Sequence, residues 1–312
     1  MKMSLQAARE LGLTVLLMGV SPAAAAELSV GEGKTYALPS DAARAAGAGD
    51  VIRIFPGTYS DCTGWDAEGL VIEGVGPDVV LAGKVCDGKG IFVTRGTGIT
   101  IRNITFMSAA VPDHNGAGIR VEGDNLTVED SRFIGNENGI LAGGNDASAI
   151  VIKNSIFRGN GNCIAACAHG IYIGRISLLR VENCTFQEQH VGHHIKSRAA
   201  RTEIINNSVQ DGPNGSASYL VDLPNGGSAL ISGNLFEKGP RSSNKRTAIA
   251  IGAEGESNPA GEVVVEDNRF FNETGTATAF VRNFTARPLT VQRNQFTGDV
   301  TPVGAPQERA RP

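Results

Sequence analysis

A short phrase recurs eight times between residues 99 and 296: two or three alternating apolar residues, then Asn or Asp, then Phe. The copies are ITIRNITF (99–106), LTVEDSRF (126–133), IVIKNSIF (150–157), LRVENCTF (179–186), TEIINNSV (202–209), ALISGNLF (229–236), VVVEDNRF (263–270) and LTVQRNQF (289–296). Their last residues lie 27, 24, 29, 23, 27, 34 and 26 positions apart. A period near 25 residues predicts stacked units, none of which can bury its apolar face alone.

Each repeat also contains a second apolar phrase, which predicts at least two strands per coil. These phrases are GAGIRVEG (116–123), NGILAGG (138–144), HGIYIGR (169–175), HHIKSRA (193–199), YLVDLP (219–224), TAIAIGA (247–253) and AFVRNF (279–284). Parallel stacking would pair each strand with its equivalents above and below. The recurrent polar residues would then form one ladder, and the Phe residues would stack inside. The predicted ladder is Asn103, Asp130, Asn154, Asn183, Asn206, Asn234, Asn268 and Asn294.

This pattern resembles the right-handed parallel β-helix of pectate-lyase-like proteins. The resemblance implies an all-β solenoid, which we place at residues 27–300. Right-handedness follows from the general preference of parallel crossovers. Residues 40–49 (SDAARAAGAG) predict a short capping helix with Ser40 as its N-cap. Residues 301–312 lack the repeat, and we expect a flexible tail there. A propeller is disfavoured, because its blades need about 40 residues or more.

The first 26 residues are predicted to be a cleavable signal peptide. Lys2 and Arg9 precede or flank the short apolar run 11–20, and four alanines follow at 23–26. We therefore expect a periplasmic or secreted protein, and no other stretch is long and apolar enough to predict a membrane span. The formal net charge of −4 does not suggest a nucleic-acid partner.

The chain has five cysteines, which an exported protein can oxidise. Cys62 and Cys86 lie 24 residues apart, about one repeat, and are predicted to form a disulfide. Cys163 could then pair with Cys167 or with Cys184, leaving one thiol free. Because the CxxxC spacing has no second cysteine pair, it does not indicate zinc.

A candidate site follows from aligning the second strands on Ile195 and its equivalents. We take these to be Ile119, Ile140, Ile171, Ile195, Leu220, Ile249 and Phe280. Strand side chains alternate, so the flanking residues should face outward on coils about 4.8 Å apart. The alignment predicts a catalytic group of Tyr172, His194, Lys196 and Tyr219. The predicted substrate-binding residues around it are Arg120, His169, Arg198 and Asp222.

These residue types suit β-elimination on a uronic-acid polymer. A base removes the C5 proton, a cation holds the carboxylate, and an acid protonates the leaving oxygen. The string IKSRAARTEIINNSV (195–209) resembles the Lys-Ser segment of β-helical polysaccharide lyases in the alginate lyase and chondroitinase B group. The resemblance implies that Lys196 is the base and that the partner is an acidic polysaccharide. It leaves a calcium cofactor open, although no clear calcium ligands precede Lys196, and Val221 and Asp222 stand where the family has Arg.

Three alternatives remain open from the sequence. A C5-epimerase would use much the same residues. A glycoside hydrolase needs two carboxyl groups on one face, whereas Asp222 is the one acidic residue in the second-strand cores after Glu122. A non-catalytic exopolysaccharide-binding or surface protein would need no acid or base.

Overall fold

The computed structural model describes residues 25–164 and 166–305. Within these residues the chain is a right-handed parallel β-helix with three sheets, A, B and C, of eleven, ten and ten strands, and one short helix. The predicted fold class is therefore confirmed. Residues 1–24 lie outside the described part, so the signal peptide stays a prediction.

The strands follow the order A, B, C around each coil. Sheet A contains Glu27–Val30, Val51–Ile54, Val71–Gly74, Thr100–Arg102, Leu126–Glu129, Asn145–Lys153, Ile176–Glu182, Arg201–Ile205, Ser228–Ser232, Val263–Glu266 and Leu289–Gln292. Sheet B contains Gly57–Tyr59, Val79–Ala82, Thr105–Met107, Arg132–Ile134, Ile156–Arg158, Thr185–Gln187, Ser208–Gln210, Leu235–Lys238, Arg269–Asn272 and Gln295–Thr297. Sheet C contains Thr63–Trp65, Gly90–Thr94, Ala117–Val121, Asn138–Ala142, Ile171–Ile173, His193–Ser197, Tyr219–Leu223, Thr247–Ile251, Thr278–Asn283 and Val300–Gly304.

The repeated phrase holds two strands rather than one, so a typical coil has three. Its apolar half lies in sheet A, and its Phe lies in sheet B. Between them the chain bends at a residue with positive φ, such as Asn154 (φ 49°) or Asn183 (φ 54°). Asn and Asp tolerate this left-handed conformation better than most other residues, which explains why they recur there.

The predicted Phe column is confirmed by the register of sheet B. Each residue of the column pairs with its equivalent on the next strand, in the order Phe106, Phe133, Phe157, Phe186 and Val209. Ring centroids are 5.2, 4.6 and 4.6 Å apart along the four Phe. The four rings are essentially inaccessible to solvent, so this column fills the narrow interior of the solenoid.

The predicted ladder is wrong by one residue over its first five members. Asn103, Asp130, Asn154, Asn183 and Asn206 have the positive φ values of the turn. The ladder is formed by the residue that follows the turn residue in each coil, starting with Ser131. The side chain of this residue accepts the backbone N–H of the equivalent residue on the preceding coil. The members of the ladder are Ser131, Ser155, Cys184, Asn207, Asn234, Asn268 and Asn294.

The two ends of the solenoid differ slightly from expectation. The helix is Pro39–Ala45, so it begins before Ser40 and ends four residues before position 49. Leu38 occupies the N-cap position, because proline favours the first helical turn; the Asp61 carboxylate accepts the Ser40 N–H at 2.9 Å. At the other end, Val300–Gly304 pairs with Thr278–Asn283, so the predicted tail begins too early.

Two disulfides join neighbouring parts of the coils. Cys62 bonds to Cys86 as predicted, and Cys163 bonds to Cys167, the first of the two alternatives. Cys184 is a free thiol whose pKa burial raises to about 12, consistent with a structural place in the ladder. Among the described residues, no helix is long and apolar enough to cross a membrane.

We predict that Asn234→Ala lowers the free energy of unfolding by about 2–4 kcal/mol, because it removes partners from the buried Asn207 N–H and Ile204 carbonyl. Denaturant unfolding followed by circular dichroism measures the change. Asn214→Ala is the matched control, since the Asn214 amide contacts Glu188 at the surface. Equal stability of the two variants would contradict a stabilising ladder.

Candidate active site on sheet C

Two successive residues face the interior on most strands of sheet C, which interrupts the usual alternation. In the strand Ala117–Val121 the first of these two residues is Gly118. It faces inward, because a Cβ added there would lie 2.9 Å from the Phe133 ring. The second is Ile119, which is fully buried in the core. In later coils the pairs are Leu220 with Val221, Ala248 with Ile249, and Phe280 with Val281.

This geometry corrects the predicted alignment. Ile195 pairs with Val221, not Leu220, and Lys196 pairs with Asp222. The outward column is therefore Arg120, Leu141, Tyr172, Lys196, Asp222, Ala250 and Arg282.

The prediction that His194 faces outward beside Lys196 is wrong. His194 occupies the first inward position and is 1% exposed. Its Nε2 lies 3.0 Å from the Asp211 carboxylate, which also accepts from the Gly239 N–H and the Ser242 hydroxyl. His194 thus belongs to a buried network that holds the 239–242 loop.

His193 takes the outward place instead and completes a ring stack of His169, His193 and Tyr219. Ring centroids are 4.8 Å apart between the two imidazoles and 5.0 Å between His193 and Tyr219. The predicted His169 and Tyr219 therefore lie on either side of His193, and the three rings come from three consecutive coils.

Backbone contacts fix the tautomers of this stack. Nδ1 of His169 accepts the N–H of His193 at 3.0 Å, and Nδ1 of His193 accepts the N–H of Tyr219 at 3.1 Å. In each neutral ring the proton must therefore be on Nε2. Burial, together with nearby cations such as Lys196, lowers the pKa of His169 to about 3 and that of His193 well below 6.5. Both rings are neutral donors through Nε2 near pH 7.

Next to the stack, Lys196 and Arg198 converge on the carboxylate of Glu254. Lys196 Nζ lies 2.8 Å from Glu254 Oε1, and Arg198 Nη2 lies 2.6 Å from Oε2. Burial alone would raise the pKa of Glu254, but hydrogen bonds from the two cations outweigh it and lower the pKa. The Lys196 side chain is 11% exposed, whereas the Glu254 side chain is 46% exposed on a loop. The site thus holds one accessible carboxylate between two cations.

Asp222 lies beneath these groups and is almost fully buried. Its Oδ2 is 3.4 Å from both Lys196 Nζ and His193 Nε2, and its Oδ1 has no partner among the described residues. Burial raises the pKa of Asp222 to about 6 despite the opposing effect of Lys196. Asp222 can therefore change protonation near neutral pH.

Tyr172 completes the group, which we call the Lys196 cluster: Tyr172, Lys196, Arg198, Asp222 and Glu254. The Tyr172 hydroxyl accepts a hydrogen bond from Arg198 Nε at 3.1 Å, so its own proton stays available to donate. Arg198 Nη1 also donates to the Asn225 amide oxygen at 2.5 Å. These contacts fix the guanidinium on one side of the cluster.

Arg120 lies on the same face but outside the cluster. Three strand spacings separate it from Lys196 along the outward column, about 14 Å. It could contact a long polymer but not the sugar held by Lys196.

Residues 144–304 match the family model described as a right handed beta helix region. The chain belongs to this right-handed β-helix family. No curated protein sequence matches the chain significantly.

Solved structures of low sequence identity share the fold of this β-helix protein. Pectate lyase Pel9A superposes with a TM-score of 0.60 at 15% identity, covering 90% of this chain and 80% of the other. An alginate lyase from Paenibacillus sp. gives 0.59 at 17% identity, covering 88% and 99%. Escherichia coli YbhC gives 0.54 at 13% identity, covering 92% and 88%. Each of these likenesses shows a shared fold.

The donor groups of the β-helix site do not fit calcium. Among the described residues, no three His, Cys, Asp or Glu side chains are grouped as a metal would require. The two carboxylates nearest the centre, Asp222 and Glu254, both contact Lys196. An ammonium group thus occupies the space between them, where a cation would bind.

Sequence reasoning missed His193, Asn225 and Glu254. His193 was adjacent to the predicted His194, and the choice between them depended on the unrecognised pair of inward residues. Glu254 lies 58 residues after Lys196, outside any strand. The one signal for it was the interval of 34 residues between Phe236 and Phe270, the longest between repeats, which indicates an enlarged coil.

Proposed function

We propose that this protein binds a uronic-acid-containing polysaccharide along sheet C and cleaves it by β-elimination. The observation that carries the proposal is the pair of salt bridges that Lys196 and Arg198 form with the Glu254 carboxylate. Two cations arranged around one carboxylate are suited to a uronate of similar charge and geometry. Glu254 is exposed and on a loop, so a substrate carboxylate could take its place.

The remaining groups of the Lys196 cluster supply the steps of elimination. When the substrate displaces Glu254, Asp222 remains against the Lys196 ammonium and can accept its proton. The resulting amine removes the C5 proton, and Arg198 stabilises the enediolate that forms on the substrate carboxylate. Tyr172 donates its hydroxyl proton to the leaving oxygen as the C4–O bond breaks. Tyr219 lines the adjoining surface, where a neighbouring sugar would lie, whereas His169 is buried at the other end of the ring stack.

Two further observations support this proposal. The similar structures include a pectate lyase and an alginate lyase, both lyases by name. The two disulfides suit an oxidising compartment, consistent with action in the periplasm or outside the cell.

Glycoside hydrolysis is the second candidate, because the structure brings a second carboxyl group, that of Glu254, next to Asp222 and Lys196. Asp222 and Glu254 both contact Lys196 Nζ, at 3.4 and 2.8 Å. Their pKa values move apart, with Asp222 raised to about 6 and Glu254 lowered. Such a pair is typical of a general acid and an ionised partner.

The direct test is incubation with a panel of uronic-acid polymers while following the ultraviolet absorbance of unsaturated product ends. We predict that Lys196→Ala removes turnover, by about a hundredfold or more, because the base is lost. The matched control is Lys153→Ala, an outward lysine on sheet A. Binding without any product would favour a polysaccharide-binding protein, and inverted C5 centres detected by NMR would favour an epimerase.

Glu254→Gln separates the two candidates. Under elimination we predict a KM about three- to tenfold lower, because the substrate no longer competes with two resident ion pairs. Under hydrolysis the same change removes a catalytic carboxylate and turnover falls. Glu256→Gln in the same loop is the control, since Glu256 pairs with Arg287 at 3.4 Å.

The pH profile gives opposite signs for the two reactions. Elimination needs ionised Asp222 to accept a proton, so kcat should rise as pH increases through about 6. Hydrolysis needs protonated Asp222, so kcat should fall through the same range. In both cases Asp222→Asn should remove that limb of the profile. A limb that survives in Asp222→Asn would exclude Asp222 as its source.

A further inference from the structure

A second groove lies on the outer face of sheet B, away from the Lys196 cluster. It consists of two adjoining cavities of about 380 and 280 Å³. Both are lined by Gln210, Gly212, Pro213 and Glu237. One cavity extends to Arg158 and the other to Arg269, so the groove crosses five strands, or about 19 Å along the solenoid axis.

Glu237 provides an unsatisfied acceptor at the centre of the groove. Its side chain lines both cavities although the residue is 7% exposed. Oε2 accepts the Gly212 N–H at 3.2 Å, whereas Oε1 is buried and has no partner among the described residues. A buried acceptor without a donor is unfavourable, and a ligand hydroxyl could supply the missing donor.

Apolar groups adjoin this acceptor. Phe271 pairs in register with Glu237 on the next strand and is half-buried in the wall. The Arg269 guanidinium lies 5.6 Å from the centre of its ring. Pro213 and Pro240 line the same cavity. An aromatic ring beside a few polar groups is the usual composition of a small-molecule site.

The walls of the groove are fixed by buried contacts. Asp211 is fully buried and accepts from the Gly239 N–H, directly before Pro240, and from the Ser242 hydroxyl. The Gly212 N–H, directly before Pro213, is held by Glu237. Both proline walls are therefore in place before a ligand binds, which lowers the entropy cost of binding.

We propose that this groove binds a neutral, hydroxyl-rich saccharide. The charges on its walls favour neutral over acidic sugars. Carboxylates of Glu188, Glu237 and Glu273 line it, while Arg158 is already paired with Glu188 at 3.0 Å and Arg269 lies over Phe271. Sugar hydroxyls would donate to Glu237 Oε1, and the apolar face of a ring would pack on Phe271. The proposal is independent of the reaction on sheet C.

The test is calorimetric titration of the full chain with cellohexaose, mannohexaose and xylohexaose, and with a hexauronate of matched length. We expect at least one neutral hexasaccharide to bind, and Phe271→Ala and Glu237→Gln each to weaken that binding about tenfold. Phe55→Ala is the matched control, because Phe55 is another half-buried Phe with a cation, Lys34, over its ring. Thermal unfolding by circular dichroism confirms that each variant is folded.

Three results would overturn the proposal. The first is that none of the three neutral hexasaccharides binds the unaltered chain at millimolar concentration. The second is that Phe271→Ala binds them as tightly as Phe55→Ala does. The third is hexauronate binding that Phe271→Ala weakens as strongly, which would show that the groove does not select neutral sugars.

Discussion

The contact on which the solenoid most depends is the bond between a backbone N–H in one coil and a side-chain acceptor in the next. It repeats from Ile104, bonded to Ser131, to Asn268, bonded to Asn294. Each bond satisfies a buried donor at the turn between sheets A and B, where the chain bends and cannot use its own carbonyls. Because the acceptor lies on the equivalent residue of the next coil, the contact also fixes the register between coils. Outward side chains then fall into columns, and a surface site can be assembled from residues about 25 positions apart.

The repeat and the Phe column could be read from the sequence because both depend on composition at a fixed spacing. The ladder was harder to assign, since the turn residue and the acceptor are adjacent and both are often Asn. In the early coils Ser131, Ser155 and Cys184 take the acceptor place. The residue before each of them, Asp130, Asn154 or Asn183, adopts positive φ. Two different physical requirements, a left-handed backbone and a buried acceptor, favour overlapping residue types. The sequence pattern alone does not separate them.

The candidate site was predictable in part for a related reason. Tyr172 and Lys196 were placed correctly because their strands align on isoleucines at the second inward position. The next strand carries Leu220 and Val221 at the two inward positions, so apolarity does not reveal the register there. The choice of Leu220 moved Asp222 away from Lys196 and set Tyr219 beside His194 instead of His193. The position of Glu254 could not be predicted from the sequence, because loop residues do not follow the repeat.

The enlarged coil between Phe236 and Phe270 links the two surfaces. Its residues after sheet B form the loop with Pro240, and its residues after sheet C form the loop with Glu254. The first loop is bonded to the buried Asp211. This carboxylate also contacts His194, which faces inward on the same strand that carries Lys196. The second is bonded to the preceding coils through the Glu254 N–H and through the buried Asn258 amide, which donates to the Ala199 and Gly226 carbonyls. The Glu254 side chain itself is half exposed and is held by its two ion pairs. A competing carboxylate can therefore displace this side chain while the loop stays in place. The same coil supplies a fixed proline wall to sheet B and a displaceable carboxylate to sheet C.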